Sequence, residues 1–290
     1  MPPQPTPPAK AIIIGRPVKH ARSPLIHAFW LEELGLGGTY ERADVMPGAV
    51  AAFLRELPSR GFVGGNVTVP HKEEAFAACD VVSDVARAVR AVNTFWFEDG
   101  KLCGDNTDGL GFVAHLDQSY PGWDSLHPRI LLLGAGGAAR GLLMPLLDRA
   151  PAAIQIANRS RDRTDVLVSD ILKARPGAPI SSLDWDEREA ALADVDLVVN
   201  TTSLGMSGQP ALELDLARLK PGAVVADIVY VPLETPLLAA ARARGLRTLD
   251  GLGMLLHQAA PGFQRWFGRK PVVSDRLRAH LLADLAEKKA

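Results

Sequence analysis

Short apolar runs alternate along the chain with longer stretches in which apolar residues recur every three or four positions. This alternation predicts an α/β architecture. In the first half it gives a strand over 11–14, a helix over 24–34, a strand over 39–45, a helix over 47–57, a strand over 62–69 and a helix starting at 70. Ser23 before Pro24 suits an N-cap followed by proline at the first helical position. Residues 93–97 and 101–104 flank Asp99-Gly100, the signature of a β-hairpin with a tight turn. After Pro121 the pattern gives strands over 129–133, 152–157, 197–201, 223–228 and 246–248. Helices fall over 137–148, 161–173, 236–244, 254–267 and 275–289. Pro145 lies inside the first of these, where it should kink or weaken it.

Bulk properties narrow the function classes. A length of 290 residues suits one large or two ordinary domains, and 47% hydrophobic with 22% charged residues leaves ample material for a core. The net charge of -1 gives no electrostatic case for nucleic acid or an anionic membrane, so neither is expected as a partner. No apolar run reaches the roughly 18 residues of a membrane span. Residues 1–10, with prolines at 2, 3, 5, 7 and 8, read as an extended or disordered leader without the features of a signal peptide. The cytoplasm is the default location. Cys79 and Cys103 form no CxxC, and no histidines show HExxH spacing, so neither a disulfide framework nor a metal centre is expected.

The sharpest local signal is Gly134-Ala135-Gly136-Gly137-Ala138-Ala139-Arg140, directly after the apolar run Ile130-Leu131-Leu132-Leu133 and directly before a helix. A glycine-rich turn alone is equally a plain strand-to-helix connection. In this context it fits a dinucleotide fingerprint, with glycines permitting close backbone approach and the helix N-terminus facing the pyrophosphate. NAD-binding versions place Asp or Glu about 20 residues on, at the tip of the next strand. Here that tip reads Asn158-Arg159-Ser160-Arg161-Asp162-Arg163. A carboxylate would repel a 2′-phosphate, whereas Arg159 and Arg163 would bind it, so NADP is favoured over NAD.

Proton chemistry must come from the first half. Two polar clusters stand at predicted strand ends, Asn66-Val67-Thr68-Val69-Pro70-His71-Lys72 and Gly104-Asp105-Asn106-Thr107-Asp108-Gly109. Taken alone, Lys72 is also a surface lysine in a first helical turn, and Asp108 also an N-cap.

The two clusters belong to an ordered set. With them stand His20-Ala21-Arg22-Ser23-Pro24, Ala91-Val92-Asn93-Thr94, Asn158-Arg159-Ser160, Asn200-Thr201-Thr202-Ser203-Leu204-Gly205, Asp227-Ile228-Val229-Tyr230 and Gly253-Met254-Leu255-Leu256-His257-Gln258. Through these motifs the chain resembles the shikimate dehydrogenase family over nearly its whole length after the leader. The resemblance implies an N-terminal α/β substrate domain (11–107, joined by helices over 254–290), a Rossmann-like NADP domain (108–253) and a cleft between them. It implies Lys72 as general acid/base, with Asp108 positioning it and bonding a substrate hydroxyl. It further implies Thr68, Asn93 and Gln258 on substrate hydroxyls, and Ser23 and Tyr230 on the substrate carboxylate. On the cofactor side it implies Gly134, Ala135, Gly136, Gly137 and Ala138 at the phosphates, Asn158, Arg159 and Arg163 at the 2′-phosphate end, and Thr202, Ser203, Gly251 and Met254 near the nicotinamide.

The expected reaction is NADP-dependent reduction of 3-dehydroshikimate to shikimate, a step toward aromatic amino acids, by a monomer or homodimer. One departure bears on the substrate. The family commonly carries a hydroxyl two residues before Ser23, and here that position is Ala21. Quinate-using relatives differ in this neighbourhood, so a quinate/shikimate dehydrogenase stays open as an alternative. A non-catalytic NADP-binding regulator is a further one, against which Lys72 and Asp108 both speak.

Overall fold

The computed structural model describes residues 8–287. The chain divides into two compact units, Met1–Thr107 with Gln258–Ala290, and Asp108–His257.

The first unit begins with β1 (Lys10–Gly15), α1 (Ser23–Glu33), β2 (Thr39–Asp44), α2 (Val50–Glu56), β3 (Phe62–Val67) and α3 (Lys72–Ala78). It continues through β4 (Val81–Val82), α4 (Asp84–Val89), β5 (Thr94–Glu98) and β6 (Lys101–Asp105). The strands form one sheet in the order β2-β1-β3-β5-β6-β4. β1 pairs parallel with β2 and β3, and β5 pairs antiparallel with β3 and β6. Ile12, Ile14, Val67, Phe95 and Leu102 fill the core on one face. The β5–β6 hairpin turns at Asp99 and Gly100, with φ of 51° and 74°, the left-handed conformations that an Asp-Gly turn supplies.

Several sequence expectations shift here. Residues 1–7 of the expected leader lie outside the described residues, but its end is part of the sheet. The Ala9 carbonyl accepts from Thr39 N–H at 3.1 Å, and Lys10 pairs with Thr39. Ser23 is not an N-cap. Arg22 holds that position without a side-chain capping bond, and Ser23 is the first helical residue. β3 stops at Val67, two residues short of the expected end, because the chain turns at Val69-Pro70 before α3.

The second unit holds α5 (Asp108–Ser119), β7 (Arg129–Leu133), α6 (Gly137–Leu147), β8 (Ala153–Ala157), α7 (Arg161–Ala174), β9 (Ile180–Leu183) and α8 (Arg188–Ala191). β10 (Leu197–Asn200), β11 (Val224–Asp227), α9 (Pro236–Ala243), β12 (Arg247–Leu249) and the start of α10 (Gly251–Phe267) follow. Its sheet runs β12-β11-β10-β7-β8-β9 with every pairing parallel. This is the doubly wound dinucleotide-binding order, with its topological switch between β7 and β10. Alternate residues of β7 serve opposite faces. Ile130 and Leu132 join one buried cluster, and Leu131 and Leu133 the other. That two-sided burial is why the strand reads as an uninterrupted apolar run.

α10 begins at Gly251, earlier than the expected 254, because the Asp250 carboxylate accepts from the N–H groups of Leu252 and Gly253 at 3.0 and 3.3 Å. From Gln258 onward α10 belongs to the first unit, where Gly64 makes room for Trp266. A Cβ on Gly64 would lie 2.4 Å from the indole nitrogen, which donates to Phe95 O at 3.0 Å. α11 (Asp275–Glu287) follows, and residues 288–289 of its expected span lie outside the described residues. Among the described residues no helix is long and apolar enough to cross a membrane, and no group of His, Cys, Asp and Glu could hold a metal ion.

Candidate active site

In the first unit a buried hydrogen-bonded cluster joins residues far apart in sequence. The Asn93 side chain donates from Nδ2 to Gln258 Oε1 at 3.1 Å and to Thr107 Oγ1 at 3.1 Å. Its Oδ1 accepts from Thr107 N at 2.9 Å, and Thr107 Oγ1 donates to Gln258 O at 2.9 Å. Asn66 extends the cluster, donating from Nδ2 to Asn93 O and Thr94 Oγ1, both at 3.0 Å, and accepting from the Tyr40 hydroxyl at 2.5 Å. Burial raises the Tyr40 pKa far above the usual phenol range, with the Ser23 hydroxyl beside it opposing the rise. Ser23, Tyr40, Asn66, Asn93 and Gln258 therefore form a continuous polar path through an otherwise apolar interior.

Lys72 is set at the edge of this cluster by backbone bonds. His71 N–H donates to Thr68 O at 3.0 Å, His71 Nε2 bonds Val45 O at 2.8 Å, and Lys72 O accepts from Val92 N at 2.9 Å. The half-buried Lys72 thus opens α3 next to the residue preceding Asn93. Thr68 bonds Ile14 O through its N–H at 2.9 Å, and Gly15 leaves room for its methyl group, since a Cβ there would lie 2.4 Å away.

The Ala21 region is occupied by ionic contacts. Arg22 Nε lies 2.8 Å from Asp284 Oδ2, and Arg22 Nη1 donates to His20 O at 3.3 Å. Arg42 Nη2 donates to the Ala21 carbonyl at 2.9 Å. The Arg22 guanidinium, an obvious substitute for the missing hydroxyl, is thus tied to α11.

In the second unit the turn after β7 has an open cradle. Gly134 adopts φ +110°, and a Cβ on it would strike Thr201 Oγ1 at 2.7 Å, so only glycine fits. Its N–H donates to Ala157 O at 2.8 Å. A Cβ on Gly136 or Gly137 would meet nothing within 4 Å. Gly136 caps α6 with no side-chain bond, and no acid stands in the first turn. The leading N–H groups of α6, beside Ala135 and Ala138, are therefore available to an anion. These residues fit a dinucleotide phosphate.

The arginines beyond β8 differ from one another. Arg161 is neutralised by Asp165 at 3.0 Å and by Asp184. Arg159 and Arg163 are exposed and make no ion pair among the described residues. Asn158 folds its amide onto Ser160 O at 2.9 Å. Thr202 and Ser203 follow β10, Tyr230 follows β11, and Gly251 starts α10 so close to the sheet that a Cβ would lie 2.2 Å from Ile228 O. Met254 is half-buried on the same helix, one turn on. Asp108 is 8% exposed and opens α5, a helix that the apolar periodicity does not predict.

Asn66, Thr107, Asn200 and Asp227 are buried polar residues that the sequence motifs contain without an assigned role. Short polar side chains at the carboxyl ends of apolar strands were the available signal.

The model for the shikimate dehydrogenase substrate binding domain matches residues 13–95. That for shikimate / quinate 5-dehydrogenase matches 121–212, and that for the shikimate 5′-dehydrogenase C-terminal domain matches 251–273. The chain is 50% identical over 281 residues to the shikimate dehydrogenase (NADP(+)) of Brucella abortus (strain S19), covering 96% of this chain and 95% of that one. Among solved structures it is similar to the shikimate 5-dehydrogenase of Thermus thermophilus in complex with NADP(H) and shikimate. There the TM-score is 0.82 with 34% identity, over 95% of this chain and 99% of that one. It is similar also to the quinate dehydrogenase of Corynebacterium glutamicum in complex with NAD, with TM-score 0.88 and 30% identity over 96% and 100% of the two chains. With the parallel sheet, the open cradle and the buried Asn93 cluster each where these relatives match, the chain belongs to the shikimate dehydrogenase family.

Proposed function

We propose that this protein catalyses the reversible NADP-dependent reduction of 3-dehydroshikimate to shikimate. The observation that carries the reading is the unpaired arginine pair, Arg159 and Arg163, beyond a strand tip with no acid, in a chain half identical to an NADP-linked shikimate dehydrogenase. When bound, NADPH supplies the hydride. Gly134 to Ala138 would hold its pyrophosphate at the N-terminus of α6, and the two guanidinium groups would hold the 2′-phosphate. Thr202, Ser203, Gly251 and Met254 would line the nicotinamide end of the cofactor.

Lys72 Nζ gives its proton to the carbonyl oxygen as that oxygen gains charge, and takes it back in the oxidative direction. Asp108, assigned with Lys72 by the family resemblance, would accept a bond from a substrate hydroxyl. Thr68, Asn93 and Gln258 bond the remaining hydroxyls, and Ser23 and Tyr230 the carboxylate. The amides of Asn93 and Gln258 already bond each other at 3.1 Å, so the hydroxyl-binding groups are pre-oriented. Both reactants and cofactor are diffusible, which fits a cytoplasmic enzyme.

Ala21 supports a second reading, oxidation of quinate with NAD, because it departs from the family's pattern in the neighbourhood where quinate-using relatives differ. Steady-state rates for shikimate and quinate, each with NADP and NAD, separate the two. The expected result is the highest kcat/KM for shikimate with NADP. A preference for quinate with NAD overturns the first reading.

A further inference from the structure

The carboxyl ends of β10 and β11 carry a buried pair, Asn200 and Asp227, which are register partners across the two strands. They are 0% and 1% exposed. Asn200 Nδ2 donates to Asp227 Oδ1 at 3.1 Å. From this pair, bonds run into both adjoining loops. Toward the loop after β10, Asn200 Oδ1 accepts from Thr202 N at 3.0 Å and Thr202 Oγ1 at 2.7 Å, and Nδ2 donates to Leu204 O at 3.0 Å. Toward the loop after β11, Asp227 Oδ1 accepts from Val229 N at 3.0 Å and Oδ2 from the Thr235 hydroxyl at 2.8 Å. Farther out, Ser207 N donates to Val231 O at 2.9 Å and joins the two loops again.

We infer that Asp227 is a positioning residue for the reaction, fixing Thr202-Ser203 and Tyr230 relative to one another through Asn200 on one side and the Val229 N–H on the other. This rests on the roles proposed above for those three residues. The carboxylate charge is not needed to satisfy the hydrogen bonds. An Asn at 227 keeps an acceptor for Asn200 and Val229 and presents an amide to the Thr235 hydroxyl, which can rotate to accept it. What the charge adds is strength, since a carboxylate acceptor roughly doubles a hydrogen bond. Burial raises the Asp227 carboxyl above its usual range, so the charged form costs stability at neutral pH.

The test compares wild type, Asp227→Asn and Thr235→Val as full-length proteins. Asp227→Asn is expected to hold or raise Tm at pH 7.5, with the cradle at Gly134–Ala138 untouched. Its kcat should fall at least roughly tenfold, since misplacement of about an ångström costs on the order of a hundredfold. Amide hydrogen exchange should quicken in both loops, 202–204 and 228–231. Thr235→Val loses the α9 cap and the Thr235 bond to Asp227 Oδ2 but keeps the Asp227 bonds to Asn200 and Val229, so Tm should fall while kcat per folded molecule stays within about twofold. The inference is overturned by unchanged kcat and unchanged loop exchange in Asp227→Asn, or by an equal loss of kcat in Thr235→Val. Wild-type turnover on shikimate tests the proposed function separately, and the exchange measurement tests the positioning whatever the substrate.

Discussion

A Cβ placed on Gly109 would lie 2.3 Å from the carbonyl oxygen of Gly141. The contact joins two sequence features. Pro145 stands four residues beyond Gly141 inside α6 and has no N–H, so the Gly141 carbonyl lacks its usual helical donor. Gly109 brings the first turn of α5 directly onto that carbonyl and onto the proline ring, which a Cβ would meet at 2.8 Å. The helix runs through Pro145 without ending there.

Gly109→Ala therefore forces α5 away from α6. Overpacking of this kind costs about 1–3 kcal/mol. Urea unfolding should show that loss, and kcat should fall as well, because Asp108 is the neighbouring residue at the start of α5. A variant with unchanged midpoint and rate would show that α5 can shift freely.

Lys72→Ala removes the proposed proton donor while leaving its backbone bond to Val92 in place. A positioned acid/base group contributes about 10²- to 10⁴-fold, and kcat should drop within that range. NADPH binding, followed by its fluorescence, should be nearly unchanged. Retained turnover would remove Lys72 from the chemistry.

Arg159→Ala should narrow the preference for NADP over NAD. A hydrogen bond to a charged group contributes about 1.5–3 kcal/mol, which corresponds to a roughly 10- to 100-fold smaller ratio, expressed mainly in the cofactor KM. Arg161→Ala is the comparison, because its guanidinium is already engaged by Asp165 and Asp184. An equal effect of the two variants would mean that general positive charge, not Arg159, reads the phosphate.

His27 makes stability fall in acid. It is fully buried and stacked on Tyr40 with ring centroids 4.0 Å apart. Burial pulls its pKa from 6.5 down to about 3, and the nearby Asn66 side chain opposes part of the drop. The unfolded chain takes up a proton near 6.5 that the folded chain refuses until about 3. Its contribution is therefore full above 6.5 and declines as pH falls toward 3, by about 1.4 kcal/mol per unit. Urea titrations at pH 7.5, 6 and 5 should show a shallower dependence in His27→Phe by about one proton. Parallel curves for the two proteins would place the acid sensitivity in other groups.

The doubly wound half can be read from the chain alone. Its buried parallel strands appear as apolar runs because both faces are covered, and the turn after β7 announces itself because only glycine fits beside Thr201. The NADP preference was legible for the same local reason, an absent acid and two arginines beyond one strand tip. Local pattern did not reveal α5, whose first turn is set by packing on α6, or the early start of α10, set by a single Asp250 cap. Which polar residues act together depends on the fold. Asn93 meets Gln258 across 165 positions, and Asp227 meets Asn200 across 27, because strand pairing and helix docking bring buried polar groups together, and without partners their burial would be costly. Arg22 and Arg161 look in sequence like their neighbours, yet folding commits them to Asp284, Asp165 and Asp184 and leaves Arg159 and Arg163 without an ion pair among the described residues.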